Sequence, residues 1–288
     1  MSTTASSDIE SAKRNAAQQA VKEHFDPTAK YVGIGSGSTI VYVVEAIKAI
    51  NDPRIANIDF VPTGYQSRQR KVIKSAGLKD IRFDSLPPND LIDVAFDGAD
   101  EIDDDLNCIK GGGACLYQEK LVATQAKKFI CVADHRKLQP RLLTKWPTIP
   151  IEVEPLAINP VLAELRLLGS SKPFVREGPL AKTGPIKTDQ DNFIVDAPFP
   201  TLMVPADLGQ VNDSMGGDGK WEVAELERRI KAIGGVLEVG LFAGLNGVQA
   251  MAQKRRAGGQ KPVAAYFGME DGSVVVRQAK ADGTAEVR

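Results

Sequence analysis

The 288-residue chain carries 36 Lys and Arg against 37 Asp and Glu, a formal net charge of -1, with 43% hydrophobic and 25% charged residues. That balance belongs to globular domains. It excludes nucleic acid or an anionic membrane held by a bulk basic field, so any anionic ligand must be bound by a few placed groups.

The N-terminal MSTTASSDIESAKRN lacks the apolar core of a signal peptide, and no apolar run reaches the roughly 18 residues that span a bilayer. A cytoplasmic protein is expected, with Cys108, Cys115 and Cys131 as reduced thiols. Ile9, Ala12, Ala16 and Ala20 recur at helical spacing over 8–24. A strand at 31–34 runs into GSGST, and Ile40, Val43, Val44 and Ile47 then mark a helix. A strand over 58–61, a helix near 67–76 and strands over 80–83 and 91–96 follow. A helix over 114–127 and a strand over 129–133 continue the alternation, which requires a mostly parallel sheet covered on both faces. The proline-rich KWPTIPIEVEP breaks the rhythm and marks a domain boundary. Beyond it, strands at 151–154, 173–176, 193–196 and 235–242 and helices at 160–168 and 221–233 give the order β-α-β-β-α-β, a ferredoxin-like pattern. The polar, glycine-rich 205–220 reads as a long loop. Strands over 262–267 and 273–277 flank an Asp-Gly turn, a hairpin expected to rejoin the first domain. The expected division is an α/β domain over 1–146 and 243–288 and a smaller domain over 147–242.

Four segments concentrate chemistry. In the first, Gly35, Ser36, Gly37, Ser38 and Thr39 lie where strand meets helix. Glycines admit close backbone approach and unpaired helix N–H groups attract an anion, although a tight turn capped by Ser38 would use the same residues. The spacing fits neither a P-loop nor G-x-G-x-x-G. The second, Asp97-Gly98-Ala99-Asp100-Glu101-Ile102-Asp103, sits at a strand's carboxyl end, where ligands collect in open α/β sheets. Packed carboxylates there would bind something or form an acidic turn in water, the reading preferred for Asp103, Asp104 and Asp105. A divalent cation would suit the acids, but Cys and His at metal-ligand spacing are lacking and no metal is expected. In the third, Lys110-Gly111-Gly112-Gly113 exposes N–H groups beside a cation, an oxyanion or phosphate cradle. Glu119 is the lone charge on the face shared with Cys115, Val122 and Ala126. It is either a base whose pKa burial raises or a boundary residue that snorkels to water. The fourth, Asp134-His135-Arg136-Lys137, offers Lys137 to an anion or forms a solvated turn. Together the set suits proton abstraction beside a carbonyl in a small phosphorylated molecule.

GSGST, DGADEID, KGGGACLYQEK and ICVADHRK, in this order and spacing, resemble ribose-5-phosphate isomerase type A, as do TDQDNFIVDAPF and GVLEVGLFA. The resemblance runs from about residue 13 to 277. It implies a Rossmann-like domain with a smaller ferredoxin-like one, no cofactor, a small-molecule sugar phosphate as partner, and a homodimer or homotetramer. It implies substrate contacts from Ser36, Gly37, Ser38, Thr39, Asp97, Gly98, Ala99, Asp100, Lys110, Gly111, Gly112, Gly113 and Lys137, with Glu119 as proton acceptor. Ring opening would then fall to Asp97 or Asp100, C2-to-C1 proton transfer to Glu119, and enediolate stabilisation to Lys110. The alternatives are a non-catalytic sugar-phosphate sensor and a CoA-transferase-like enzyme with a covalent Glu on a related sheet. The 205–220 loop looks longer than in compact bacterial members.

Overall fold

Tyr31–Ile34, buried along its length, forms β1, and its apolar character fits a strand covered on both faces. A computed structural model of the chain describes residues 3–65, 67, 72–179, 184–210, 220–256, 258–280 and 285–288. Residues 68–71 of the helix expected over 67–76 lie outside the described residues, as do 211–219 of the loop expected over 205–220. What is described of that loop begins as a 3-10 turn, Pro205–Gln210.

Two compact units divide the chain. The larger comprises Met1–Ala99, Gln118–Leu138 and Gly244–Arg288. In it β1 pairs in parallel with β2 (Asp59–Pro62) on one side and β3 (Val94–Asp97) on the other. β6 (Phe129–Asp134) and β12 (Ala264–Gly268) extend the parallel run, and β13 (Val274–Ala279) and β14 (Ala285–Val287) close it antiparallel. The spatial order β14-β13-β12-β6-β3-β1-β2 reverses direction at β1. The carboxyl ends of β1 and β3 therefore border the switch-point crevice of an open α/β sheet. Helices α1 (Thr3–His24) and α2 (Ile40–Ala49) cover one face, placing Ala16, Ala17, Ala20, Val43, Val44 and Ile47 against Val32, Ile34 and Phe96. Small residues let α1 lie close: a Cβ on Gly268 would stand 2.1 Å from the Ala12 carbonyl oxygen.

The smaller unit comprises Asp100–Tyr117 and Gln139–Ala243. Its core sheet is antiparallel in the order β10-β7-β9-β8. The elements follow as β7 (Ile149–Val153), α4 (Ile158–Leu167), β8 (Phe174–Val175), β9 (Phe193–Ala197), α5 (Val223–Lys231) and β10 (Val236–Val239). This is the expected β-α-β-β-α-β order. A second sheet, β11-β5-β4, joins Leu241–Phe242 to Cys108–Ile109 and Glu101–Ile102. That pairing explains why 100–117, read above with the larger domain, falls in the smaller unit, as does 139–146.

Three local readings change. The strand expected over 235–242 breaks at Gly240, whose Cβ would stand 2.3 Å from the Lys110 carbonyl oxygen and 2.7 Å from that of Pro150. The strand expected over 80–83 reduces to a bridge between Phe60 and Asp80 before a 3-10 turn, Phe83–Ser85. β14 was not anticipated, since its segment carries no apolar run. Among the described residues no helix is long and apolar enough to cross a membrane.

Candidate active site

Past β1 the backbone keeps to the sheet for one more residue, with the Gly35 N–H donating to the Phe96 carbonyl at 2.8 Å. Gly35 is required there: a Cβ would stand 1.8 Å from Asp97 Oδ1 and 2.8 Å from Asp97 Cα. The loop turns through Gly37, whose carbonyl accepts the Ile40 N–H at 3.0 Å, and α2 begins with Thr39 as N-cap. Thr39 makes no side-chain cap, and Ser38, whose capping of the turn was the alternative to anion binding, accepts a hydrogen bond from Lys13 Nζ at 3.3 Å. In the first turn of the helix the Ile40 and Tyr42 N–H groups are taken by the carbonyls of Gly37 and Thr39.

Lys13 escaped the sequence reading. It is 7% exposed and is anchored by Glu10 at 2.9 Å. The signal was present, because Lys13 stands on the same helical stripe as Ile9, Ala16 and Ala20 as its only charge.

Helix α3 (Leu116–Thr124) presents Glu119 in its first turn, 6% exposed. Its Oε1 accepts the Ser36 hydroxyl at 3.2 Å, so the glycine loop and the candidate base meet. Helix and strand come this close because β1 carries glycine: a Cβ on Gly33 would stand 2.7 Å from Val122 Cγ1. Glu119 is not the only enclosed charge of the helix. Lys120 is 4% exposed on an adjacent face, where it donates to Gln260 Oε1 at 2.6 Å.

Asp97 ends β3 and is buried, its Oδ1 accepting the Gly98 N–H at 2.8 Å. Gly98 and Ala99 complete the segment that belongs to the larger unit. Lys137 lies partly exposed in the 3-10 turn His135–Lys137 after β6, which Asp134 caps through the Arg136 N–H. Burial pushes the Asp134 carboxyl up, but the bidentate Arg136 guanidinium, with help from Lys13, holds it below the ordinary value. His135 faces Glu270 at 3.1 Å.

In the smaller unit, Asp100 Oδ2 accepts the Gly112 N–H at 2.7 Å, uniting the second and third motifs. Gly111 adopts φ 102°, open to glycine alone, and a Cβ there would meet Leu116 and Pro150. Lys110 is 2% exposed, with Nζ 5.5 Å from the centre of the Phe242 ring. Gly113 is exposed.

The remaining acids serve the backbone. Glu101, 1% exposed, accepts the N–H groups of Leu143, Thr144, Lys145 and Trp146 at 2.5, 3.2, 2.6 and 3.1 Å. Asp103, expected in a watery turn, is wholly buried and accepts the N–H groups of Asp105 and Asn107 and the Asn107 side chain. Among the described residues no group of three His, Cys, Asp or Glu is placed to hold a metal ion.

A buried carboxylate on a serine-glycine loop, at the switch point of a parallel sheet, is the arrangement of a ligand crevice in an α/β enzyme. A family model described as ribose 5-phosphate isomerase A (phosphoriboisomerase A) matches residues 59–256. The chain is 44% identical over 277 residues to a ribose-5-phosphate isomerase of Mycosarcoma maydis, covering 96% of this chain and 84% of the relative. It is 42% identical to that of Candida albicans, covering 95% and 98%. A D-ribose-5-phosphate isomerase structure in complex with phospho-erythronic acid superposes with TM-score 0.72 at 32% identity, covering 94% of this chain and 99% of that one. The enzyme from Plasmodium falciparum gives 0.73 at 25% identity, covering 94% and 100%. The chain belongs to the ribose 5-phosphate isomerase A family.

Proposed function

We propose that this enzyme interconverts ribose 5-phosphate and ribulose 5-phosphate through an enediolate, with Glu119 as the base. The observation that carries the reading is the enclosed Glu119 carboxylate resting on the Ser36 hydroxyl, in a chain of this family. Glu119 takes the proton from C2 and returns it to C1, so a single carboxylate serves both carbons of the enediolate. The Ser36 contact orients the carboxylate against the glycine loop.

The phosphate is held by the backbone of the glycine-serine turn that leads into α2, the hydroxyls of Ser38 and Thr39, and Lys13. Lys137, given by the family resemblance, adds a second cation. Asp97 or Asp100 exchanges the proton that opens the furanose ring. Lys110 and the N–H groups of Gly111 and Gly113 answer the negative charge that develops on the enediolate oxygen, a contact of about 3–4 kcal/mol where one such donor is removed. Phospho-erythronic acid, the ligand in the related structure, is a phosphorylated sugar acid whose carboxylate carries charge much as an enediolate does, which supports this reading.

No step in this scheme calls for a metal or an organic cofactor. By resemblance the enzyme works in the cytoplasm as a homodimer or homotetramer, in the non-oxidative pentose phosphate pathway. The test is ribulose 5-phosphate formation from ribose 5-phosphate by the purified, chelator-treated chain. Absence of turnover, or a covalent acyl adduct on Glu119 by mass spectrometry, would end the proposal.

A further inference from the structure

Arg176 follows β8 with its side chain 16% exposed. Nε and Nη2 donate to the two oxygens of Asp196 at 2.7 Å each, the planar fork-on-fork geometry that fixes a guanidinium in orientation. Asp196 is steadied in turn by the Thr148 hydroxyl at 3.1 Å. Nη1 then donates to two consecutive carbonyls, Gly111 at 3.0 Å and Gly112 at 3.1 Å.

In a trans peptide the carbonyl and N–H point in opposite directions. The Gly111 carbonyl shares its plane with the Gly112 N–H, which donates to Asp100 Oδ2 at 2.7 Å. The Gly112 carbonyl shares its plane with the Gly113 N–H. One cation therefore draws two carbonyl ends to itself and turns two N–H ends the other way, one of them onto Asp100. Its charge also polarises both peptides and strengthens their donors. Three successive glycines give this loop wide conformational freedom of its own.

We propose that Arg176 is a positioning residue for the isomerisation. Through the Asp196 clamp it sets the peptide planes of residues 111–113, and through the Gly112 N–H it sets the carboxylate of Asp100. The inference rests on the reading of Asp100 and the glycine loop as substrate groups. Lysine cannot substitute, because one ammonium cannot hold a carboxylate bidentately and also span two carbonyls.

The test uses the full chain carrying Arg176→Lys or Arg176→Ala, with folding followed by circular dichroism and thermal melting. Both variants are expected to lose about 10²-fold in kcat/KM, the scale of a misplaced catalytic group, and to lose it mainly in kcat. Phosphate binding through the α2 loop stays intact, so KM moves little. Millimolar guanidinium is expected to restore part of the Arg176→Ala activity, whereas tetramethylammonium at the same concentration restores none. Should neither variant fold, Asp196→Asn carries the same kinetic test, since it keeps volume but loosens the fork. A folded variant within about threefold of wild type in kcat/KM would overturn the inference, as would a loss confined to KM or one blind to guanidinium. An inactive wild-type chain would instead sink the proposed function.

Discussion

Gly35→Ala is the sharpest probe of the crevice, because it adds one methyl group and changes no charge. The new Cβ would stand 1.8 Å from Asp97 Oδ1 and 2.3 Å from Cγ, against the 3.4 Å at which ordinary contact begins. The carboxylate must therefore retreat by about 1.6 Å. Rotation of the Asp97 side chain does not relieve the clash, since Asp97 Cα would also lie 2.8 Å from the new carbon. Either β3 shifts against β1 or the Gly35 N–H leaves the Phe96 carbonyl. Overpacking of this kind costs about 1–3 kcal/mol, a loss of several degrees in Tm that a domain of this size survives. Displacement of a reacting group by an ångström or more costs about 10²-fold, so kcat/KM is expected to fall by that factor in a protein that remains folded. The assay is steady-state conversion of ribose 5-phosphate, with melting temperature measured on the same preparation. A variant that folds and turns over within about threefold of wild type would show that Asp97 and this strand end have no part in the chemistry.

Glu119→Gln keeps the shape of the side chain and is expected to lower kcat by roughly 10²–10⁴-fold with KM little changed; retention of a tenth of the activity would remove Glu119 from its role. Ser38→Ala, Lys13→Met and Lys137→Ala each take away a contact present before and during the reaction, so KM should rise more than kcat falls, and steady-state kinetics read the split directly. Exhaustive EDTA treatment should leave turnover unchanged, and a strict need for added Mg²⁺, Mn²⁺ or Zn²⁺ would discard the scheme built on Lys110. Burial, aided by the charge of Lys128, holds the His24 imidazole down to about 4 from 6.5. Between those values the unfolded chain binds a proton that the folded chain refuses, so this stabilisation is complete above 6.5 and fades as pH falls toward 4. His24→Gln should narrow the gap in Tm between pH 7.5 and about 4.5, and an unaltered gap would show that His24 does not drive it.

Much of the larger unit was legible because its strands are short apolar runs ended by glycine or aspartate, as at Ile34-Gly35 and Phe96-Asp97. Periodicity could place Glu119 on a buried face, but not against Ser36, since that contact depends on Gly33 letting α3 approach β1. The acidic run was harder to read. Asp97 and Asp100 look the same in sequence as Glu101 and Asp103, yet the latter two are used up by backbone N–H groups. Asp103 is held by its own neighbours Asp105 and Asn107, whereas capture of Glu101 depends on the loop 143–146 folding over it, of which spacing along the chain holds no trace. Arg176 was hidden for the same reason. Its partners lie 20 residues away at Asp196 and more than 60 away at Gly111, so no local pattern marks it.

The pairing of β12 with β6 has a consequence for biosynthesis. β6 is complete by residue 134, but its parallel neighbour spans Ala264–Gly268, after the entire smaller unit has been made. A nascent chain halted near residue 243 holds every strand of the smaller unit but presents β6 as an open apolar edge. Emergence from the ribosome thus imposes a sequence of events in which the inserted unit acquires its hydrogen bonds while the larger sheet waits for its last three strands. During that interval the edge of β6, whose six residues are all buried in the finished enzyme, is an unpaired strand edge of the kind that invites association with other chains.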